Sequence, residues 1–186
     1  MNALIERLRL LEAAILSSET QRRISIAASI AVLSAMKRRI FNDGLATDGS
    51  KIGTYSTYSF YKNPNSLLGV PKGGVKPQGK NGLAIFKNGK QKKTKYLASG
   101  YKELRELVGR QSDYVDLSFS GSMQQSLQFG IRNNDAVVGF TNQESADVMA
   151  QNEERFGLEI QETSESESEL GINAARNELL FIIEQF

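Results

Sequence analysis

The chain has 186 residues and a mass of 20.6 kDa, which is enough for one domain with a substantial core. It contains no cysteine, no histidine and no tryptophan. Disulfides, thiolate metal ligands, thiol nucleophiles and histidine-based acid–base catalysis are therefore excluded. The composition favours a binding or structural protein without a cofactor over an enzyme.

The overall balance of 23 basic and 21 acidic residues conceals a division of charge along the chain. Residues 51–110 carry 13 basic and 2 acidic residues, a net charge of +11, whereas residues 111–186 carry 3 and 14, a net charge of −11. Ten lysines and no acid lie between Lys51 and Lys95. Three interpretations remain open: pairing within one chain, pairing between copies of the chain, or nucleic acid bound by the lysines.

The sequence contains neither a membrane span nor a signal peptide that we can identify. No apolar run reaches the length of about 20 residues that a spanning helix needs. The first residues, Met-Asn-Ala-Leu-Ile-Glu-Arg, lack the basic and apolar regions of a signal peptide. We therefore expect no membrane partner, and a location in the cytoplasm or in a particle assembled there.

Residues 1–43 are predicted to form an N-terminal helical part. Apolar residues at helical spacing predict a first helix over residues 3–16. Ser18 with Gln21 fits a capping box that begins a second helix, which reaches about Phe41. Gly44 is expected to end it in the left-handed conformation, and the basic residues 37–39 are interpreted as favourable partners of the helix dipole.

Residues 44–98 are predicted to form a basic arm rich in glycine, proline and lysine. All three prolines of the chain lie in this segment, and its apolar residues show little periodicity. Short extended pieces are expected at residues 57–61 and 83–86, and Asn88-Gly89 indicates a hairpin turn. Because a long structureless loop is unusual inside a compact domain, we interpret the segment as an extended arm that a partner orders.

Residues 99–186 are predicted to complete a single domain. A helix is expected from Ser99 to Gly109, and alternating apolar residues predict strands at 115–119, 127–131 and 136–141, with a short strand at 158–160. A further helix, capped by Thr141 or Asn142, is expected to reach about Arg155, and a terminal helix begins in the acidic run 163–169. One face of the sheet is predicted to supply the core through Leu117, Phe119, Leu127, Phe129, Val138 and Phe140.

These elements predict an α+β fold. It would comprise N-terminal helices, a small antiparallel β-sheet packed with helices, a long basic arm with a hairpin, and a C-terminal helix. No internal repeat and no sustained βαβ alternation is present.

No constellation of residues points to a reaction. The glycines and lysines of residues 73–80 lack the spacing of a phosphate-binding loop. Asp113 and Asp116 flank a predicted strand, but a metal-dependent nuclease needs carboxylates that converge on the metal with a nearby lysine. Tyr55, Tyr58 and Tyr61 stand among lysines and suit either stacking on single-stranded nucleic acid or a protein interface, which we favour.

The order of motifs from Arg39 onward carries a family resemblance. The motifs are Gly49-Ser-Lys-Ile-Gly-Thr-Tyr-Ser56, Gly100-Tyr-Lys-Glu-Leu-Arg105, Leu117-Ser-Phe-Ser-Gly121-Ser-Met123, Val138-Gly-Phe140 and Arg155-Phe-Gly157. Over residues 36–160 this order resembles the tail-completion, or neck, proteins of tailed bacteriophages, also labelled virion morphogenesis proteins. The helix near Ala146 lacks the histidine that such proteins often carry before the glycine.

The resemblance implies a structural virion protein without enzymatic activity, located at the head–tail junction and assembled in the host cytoplasm. Its partners would be copies of itself in a ring, a hexamer or dodecamer, together with portal or adaptor proteins and tail-tube or tail-terminator proteins. Non-specific contact with genomic DNA is also implied. A ring needs head-to-tail contacts, which a division of charge between +11 and −11 suits.

The residues predicted to lie at subunit or partner interfaces are aromatic, lysine, acidic and terminal apolar residues. They are Tyr55, Tyr58, Tyr61, Lys87, Lys90, Lys92, Lys93, Glu162, Glu165, Glu167, Phe181 and Phe186. The alternative function is a nucleic-acid-binding protein that uses the lysine-rich arm, and a metal-dependent nuclease is a third hypothesis.

Overall fold

The structure, a computed structural model, describes residues 2–62, 95–118, 121–132 and 135–185. Within these ranges the fold is α+β, as predicted, with six α-helices, one π-helical turn and two antiparallel two-stranded sheets. In chain order the elements are α1 (Asn2–Ile15), α2 (Ser18–Lys37), the π-helical turn (Arg38–Asp43), β1 (Phe60–Lys62), β2 (Lys95–Leu97), α3 (Gly100–Leu107), α4 (Ser122–Ser126), β3 (Leu127–Arg132), β4 (Asp135–Phe140), α5 (Gln143–Phe156) and α6 (Glu165–Ile183).

The long helices α2 and α6 pack antiparallel and form the frame of the molecule. Arg23 of α2 forms a salt bridge with Glu178 of α6 at 2.6 Å, and Arg39 meets Glu167 at 2.7 Å. Between these pairs, Gly171 lies so close to α2 that a Cβ there would stand 2.8 Å from the Val32 side chain. The frame is therefore held by two ion pairs and by a close approach that only glycine allows without adjustment.

Local signals set the ends of these helices. The Ser17 side chain accepts a hydrogen bond from the Thr20 N–H, so the cap of α2 lies one residue before the expected Ser18. The π-helical turn ends at Gly44, which has the predicted left-handed conformation with φ of 63°. At the start of α6, Ser164 and Glu167 form a complete capping box.

The larger sheet, β3 with β4, packs on α2 with the predicted face inward. Leu127 pairs with Phe140, and Phe129 pairs with Val138. Leu127 is fully buried, and Val138 and Phe140 pack against the core. Phe129 is only half-buried, because it stands farther along β3 towards the exposed end of the hairpin.

Two of the predicted strands are absent from the described residues, and a carboxylate explains each case. At 115–118, Asp116 accepts a hydrogen bond from the Ser118 N–H at 2.9 Å, which turns the chain, and Leu117 has a φ of 49°. At 158–160, Glu153 accepts hydrogen bonds from the N–H groups of Ile160 and Gln161, at 2.7 and 2.8 Å. In both segments a carboxylate oxygen, and not a neighbouring strand, accepts these backbone hydrogen bonds.

The segment that follows Gly44 belongs to the core rather than to an arm. Ala46 and Ile52 are buried, with exposed fractions of 1% and 2%. Backbone hydrogen bonds fix this segment. The N–H groups of Ile52, Thr47 and Val115 donate to the carbonyl groups of Gly44, Glu159 and Gly53, respectively. The predicted boundary at residue 44 therefore does not separate two structural units. The same core contains residues from the helical part before it and from the segments after it. The buried core residues are Met36, Ile40, Phe41, Ala46, Ile52, Val115, Leu127, Met149 and Ile160.

The smaller sheet pairs the residues on either side of positions 63–94. The extended piece expected at 57–61 overlaps β1 at Phe60 and Tyr61, and β1 pairs antiparallel with β2. The pairing places Lys62 opposite Lys95 and Tyr61 opposite Tyr96. The expected extended piece at 83–86, the Asn88-Gly89 turn and Phe119 lie outside the described residues.

Candidate functional site

A cavity of about 730 Å³ opens between residues 54–60, α3, α4 and α5. Its walls are unusually rich in aromatic side chains for a chain with 8% aromatic residues. The aromatic lining residues are Tyr55, Tyr58, Phe60, Tyr101 and Phe156. Aromatic walls with a few polar groups at the edge are typical of binding sites for apolar groups.

A buried ion pair forms one wall of this cavity. Arg105 on α3 is 1% exposed, and one of its terminal nitrogens donates to both carboxylate oxygens of Asp116, at 2.8 and 2.9 Å. The guanidinium also donates to backbone carbonyls at Gln111 and Ser118. A charge this deeply buried needs such complete pairing, so the Arg105–Asp116 pair fixes the loop between α3 and α4.

Tyr55 completes this network, and its hydroxyl is engaged within the chain. Its hydroxyl donates to Asp116 Oδ1 at 2.7 Å and accepts from the Asp116 N–H at 3.1 Å. Its ring lies 4.4 Å from the Arg105 guanidinium carbon and 5.5 Å from the Tyr101 ring. Burial, together with the charge of Asp116, raises the pKa of the Tyr55 phenol, and burial also raises the pKa of Tyr101.

The three tyrosines predicted at an interface therefore differ. Tyr55 is half-buried, with its hydroxyl bonded within the chain and its ring on the cavity wall. Tyr58 is 88% exposed at the cavity, and Tyr61 is 61% exposed beside Tyr96. Of the three, Tyr58 and Tyr61 have side chains that are mostly exposed.

The motif Leu117–Met123, which carries much of the family resemblance, also borders the cavity. Leu117, Gly121, Ser122 and Met123 all line it. Leu117 is the one described non-glycine residue with a positive φ, at 49°. A leucine in this conformation is strained, and such strain persists only where the surrounding structure imposes it, here the Asp116 network.

Glu167, predicted at an interface, is instead buried inside the chain. It is 3% exposed, and both of its carboxylate oxygens accept hydrogen bonds from Arg39. Arg39 also donates to the backbone carbonyls of Ile160 and Glu162, at 3.1 and 2.8 Å. This network corrects the interface role given to Glu167, and it gives Arg39 a partner that the interpretation by the helix dipole did not include.

The acids near Glu167 remain at the surface. Glu162, Glu165 and Glu169 are exposed, as an interface of opposite charges needs. The predicted lysines Lys87, Lys90, Lys92 and Lys93, and the predicted Phe186, lie outside the described residues.

Apolar side chains are exposed on the faces of α1 and α6 that point away from the core. Phe181, predicted at an interface, is 53% exposed, and Leu180 beside it is 50% exposed. On α1, Leu4 and Leu8 are 65% and 56% exposed. Further exposed apolar residues on these two helices are Ile5, Leu10, Leu170, Ile172 and Ile183. Exposed apolar side chains in this number on two helices indicate surface that another protein can cover.

The carboxylates considered for metal catalysis do not converge. Asp113 is exposed and lies 3.6 Å from Lys102, while Asp116 is held by Arg105. Across the described ranges there is no group of three or more acidic side chains placed to hold a metal ion. Among the same residues no helix combines the length and apolarity needed to cross a membrane.

The positions of the two buried arginines, Arg105 and Arg39, follow a pattern that is visible in the sequence but that does not enter the predictions above. Arg105 follows Leu104 and stands four residues after Tyr101, on the inward stripe of α3. Arg39 likewise stands three residues after Met36 and directly before Ile40, both buried. A charged residue on an apolar stripe indicates a buried partner, although it does not identify that partner.

Comparison with known proteins adds no relative: no protein-family model, curated protein or solved structure matches this chain significantly. The resemblance to phage neck proteins thus rests on the motif order alone and stays a prediction.

Proposed function

We propose that this chain is a structural protein of tailed bacteriophage particles that assembles with copies of itself into a ring at the head–tail junction. The observation that carries the proposal is the exposed apolar surface of α1 and α6, exemplified by Phe181 and Leu8 at 53% and 56% exposure. Such surface is stabilised by burial against another protein, at about 25 cal/mol per Å² of apolar area.

The division of charge supports a contact between copies. Each chain carries ten lysines between Lys51 and Lys95, while Glu162, Glu165 and Glu169 are exposed on its acidic part. Opposite charges on one molecule allow a directional contact, which closes into a ring where the rotation permits. Exposed ion pairs contribute only about 0 to 1 kcal/mol each, so they set register and encounter rate more than affinity.

The proposed location at the head–tail junction rests on the order of motifs between Arg39 and Gly157, which resembles that of neck proteins. In that setting the ring would surround the DNA channel and contact a portal or adaptor protein on one side and a tail-tube or tail-terminator protein on the other. The proposal assigns no reaction to the protein.

The first test is the mass of the purified protein in solution. Sedimentation velocity and mass photometry should show a closed oligomer, and Phe181→Ser should shift it towards monomers while leaving the circular dichroism spectrum unchanged. Gln128→Ser, at an exposed position of β3, is the control. A monomer at every concentration would contradict self-assembly.

The second test is charge reversal. Changing Lys87, Lys90, Lys92 and Lys93 to glutamate should block assembly without unfolding the chain. Changing Glu162, Glu165 and Glu169 to lysine in the same chain should partly restore it. Glu167 is left unchanged because it is buried. Normal assembly of the first variant would refute the inter-subunit role of these charges.

A second candidate, binding of nucleic acid, is favoured by the ten lysines without an acid between Lys51 and Lys95. Lysine without arginine suits attraction to phosphates more than reading of bases. Titration of DNA at several salt concentrations separates the candidates. Tight binding by the monomer with a steep salt dependence favours the second candidate.

A further inference from the structure

We propose that the aromatic cavity binds the C-terminal end of α6 from the neighbouring copy, so that subunits join head to tail. This inference rests on the proposed self-assembly and names the surfaces that meet. The occupant is a second copy of this chain, with Leu180 and Phe181 as the side chains that enter.

The first argument is position. Arg39–Glu167 marks one end of the α2–α6 pair, and Phe181 lies beyond Arg23–Glu178 at the other. At a rise of 1.5 Å per residue, Glu167 and Phe181 are about 21 Å apart along the helix axis. The cavity belongs to the first end, because its lining residue Val115 lies against Gly44, where the frame helix terminates.

One chain thus cannot bring its own α6 end into its own cavity. Two different surfaces at opposite ends of a molecule can meet in a head-to-tail contact that repeats from one copy to the next. This is the type of contact that closes into a ring, whereas an α6–α6 contact would close as a dimer.

The second argument is chemical fit. The cavity of about 730 Å³ falls within the usual range of about 300 to 1,000 Å³ for sites that enclose a ligand group. Tyr58 stands at this cavity with 88% of its surface exposed, and tyrosine is among the residues enriched where protein interfaces are anchored. Leu180 and Phe181 present the apolar groups that such walls accept, at 50% and 53% exposure.

The third argument is charge. Arg155 lines the cavity and is exposed, forms no ion pair within the described ranges, and has its guanidinium carbon 5.3 Å from the ring centre of its neighbour Phe156. Glu184, directly after α6, is also exposed and forms no ion pair within the described ranges. Insertion of the α6 end would bring a carboxylate to the arginine at the edge of the cavity, which fixes the direction of entry.

Because the chain contains no cysteine, each introduced thiol is the one site at which a thiol-specific cross-linker reacts. Val148→Cys places a thiol at the cavity, where the native residue is 37% exposed, and Phe181→Cys places one on α6. The two variants are mixed and treated with a short bis-maleimide. A hetero-linked dimer in the mixture, absent from each variant alone, is expected. Gln128→Cys on β3 replaces either partner as the control and should give no product.

Each outcome separates the two proposals. An oligomer that yields only a Phe181→Cys homodimer identifies an α6–α6 contact and overturns this inference while self-assembly stands. An oligomer with no product between the two positions also overturns it, and leaves the cavity to a peptide of another protein or a small molecule. A monomer in every condition overturns the proposed function as well.

A second variant checks the cavity without a label. Val148→Trp should fill it and weaken association about tenfold or more, since loss of a central anchor typically has this effect. Gln128→Trp, an equal increase in size outside the cavity, should leave association unchanged. Equal association of the Val148→Trp variant, with an unaltered thermal transition, would overturn the inference.

Discussion

Arg39 and Glu167 are 128 residues apart in the sequence, and the Arg39 Nε–H donates a 2.7 Å hydrogen bond to Glu167 Oε1. The other carboxylate oxygen accepts from the Ser164 N–H at 2.8 Å, which closes the capping box of α6. One side chain thus both begins α6 and ties it to α2. Because Arg39 also donates to Ile160 and Glu162, the loop before α6 is fixed by the same group.

We therefore predict that Glu167→Ala lowers the free energy of unfolding by about 3 to 5 kcal/mol, because it leaves the Arg39 charge buried without a counter-charge. Urea denaturation followed by circular dichroism measures the loss. Glu165→Ala is the matched control in the same helical turn: its side chain is exposed, so the change should stay within about 1 kcal/mol. Equal losses in the two variants would contradict the buried role of Glu167.

Gly44 and Gly157 allow a close comparison, because both end helices with φ values of 63° and 64°. Alanine at either position costs about 1 to 2 kcal/mol for the left-handed conformation. At Gly44 the new Cβ would also stand 2.4 Å from the Tyr114 ring and 2.5 Å from the Val115 carbonyl oxygen, whereas nothing lies within 4 Å at Gly157. Gly44→Ala should therefore cost about 1 to 3 kcal/mol more than Gly157→Ala in the same denaturation experiment. Indistinguishable midpoints would show that the chain near Gly44 relaxes freely.

On β3, burial should decide the effect of truncation. Leu127→Ala is expected to cost about 2 to 5 kcal/mol, because Leu127 is fully buried in the core. Ile131→Ala, on the same face of the strand but 40% exposed, should cost clearly less. Phe129, for which the sequence alone suggests a core position, is half-buried and should fall between them. A larger loss at Ile131 than at Leu127 would mean that the sheet packs with a different register.

Stability at high pH should depend on Tyr55. The folded state raises the pKa of this phenol above its unfolded value of about 10, so the folded chain binds the proton more tightly. The resulting stabilisation is complete below pH 10 and is lost as the pH rises through the folded pKa. In Tyr55→Phe the decline of unfolding free energy above pH 10 should be shallower. Tyr58→Phe, with an exposed side chain, is the control. Parallel declines in all three proteins would contradict the assignment.

Local patterns predicted helices well because the relevant contacts are close in sequence. Asn142 accepts from the Ser145 N–H and Gly157 adopts the left-handed conformation, so both ends of α5 are set within a few residues. Pairing of β3 with β4 could be predicted equally well, since the two strands are adjacent in the sequence. Periodicity and caps report such interactions directly.

The buried ion pairs and the false strand at residues 115–119 required information that periodicity lacks. Alternation at Val115 and Leu117 predicts a strand, but the Asp116 carboxylate between them binds Arg105 and turns the chain. Arg39 finds its partner 128 residues away, which no local pattern indicates. For the candidate site, the sequence predicts interface roles for Tyr58 and Phe181, whereas the cavity beside Tyr58 depends on four parts of the chain meeting in space.

The register of the small sheet has a consequence for the gene as well as for the fold. Because Lys62 is paired with Lys95, the backbone positions of these two residues are only about 5 Å apart. A separation of this size suits a two-residue Asn-Gly turn, which joins antiparallel strands. At the level of the gene, codons 63–94 can therefore be exchanged for those of Asn-Gly as an internal deletion, and β1 and β2 are expected to keep their register.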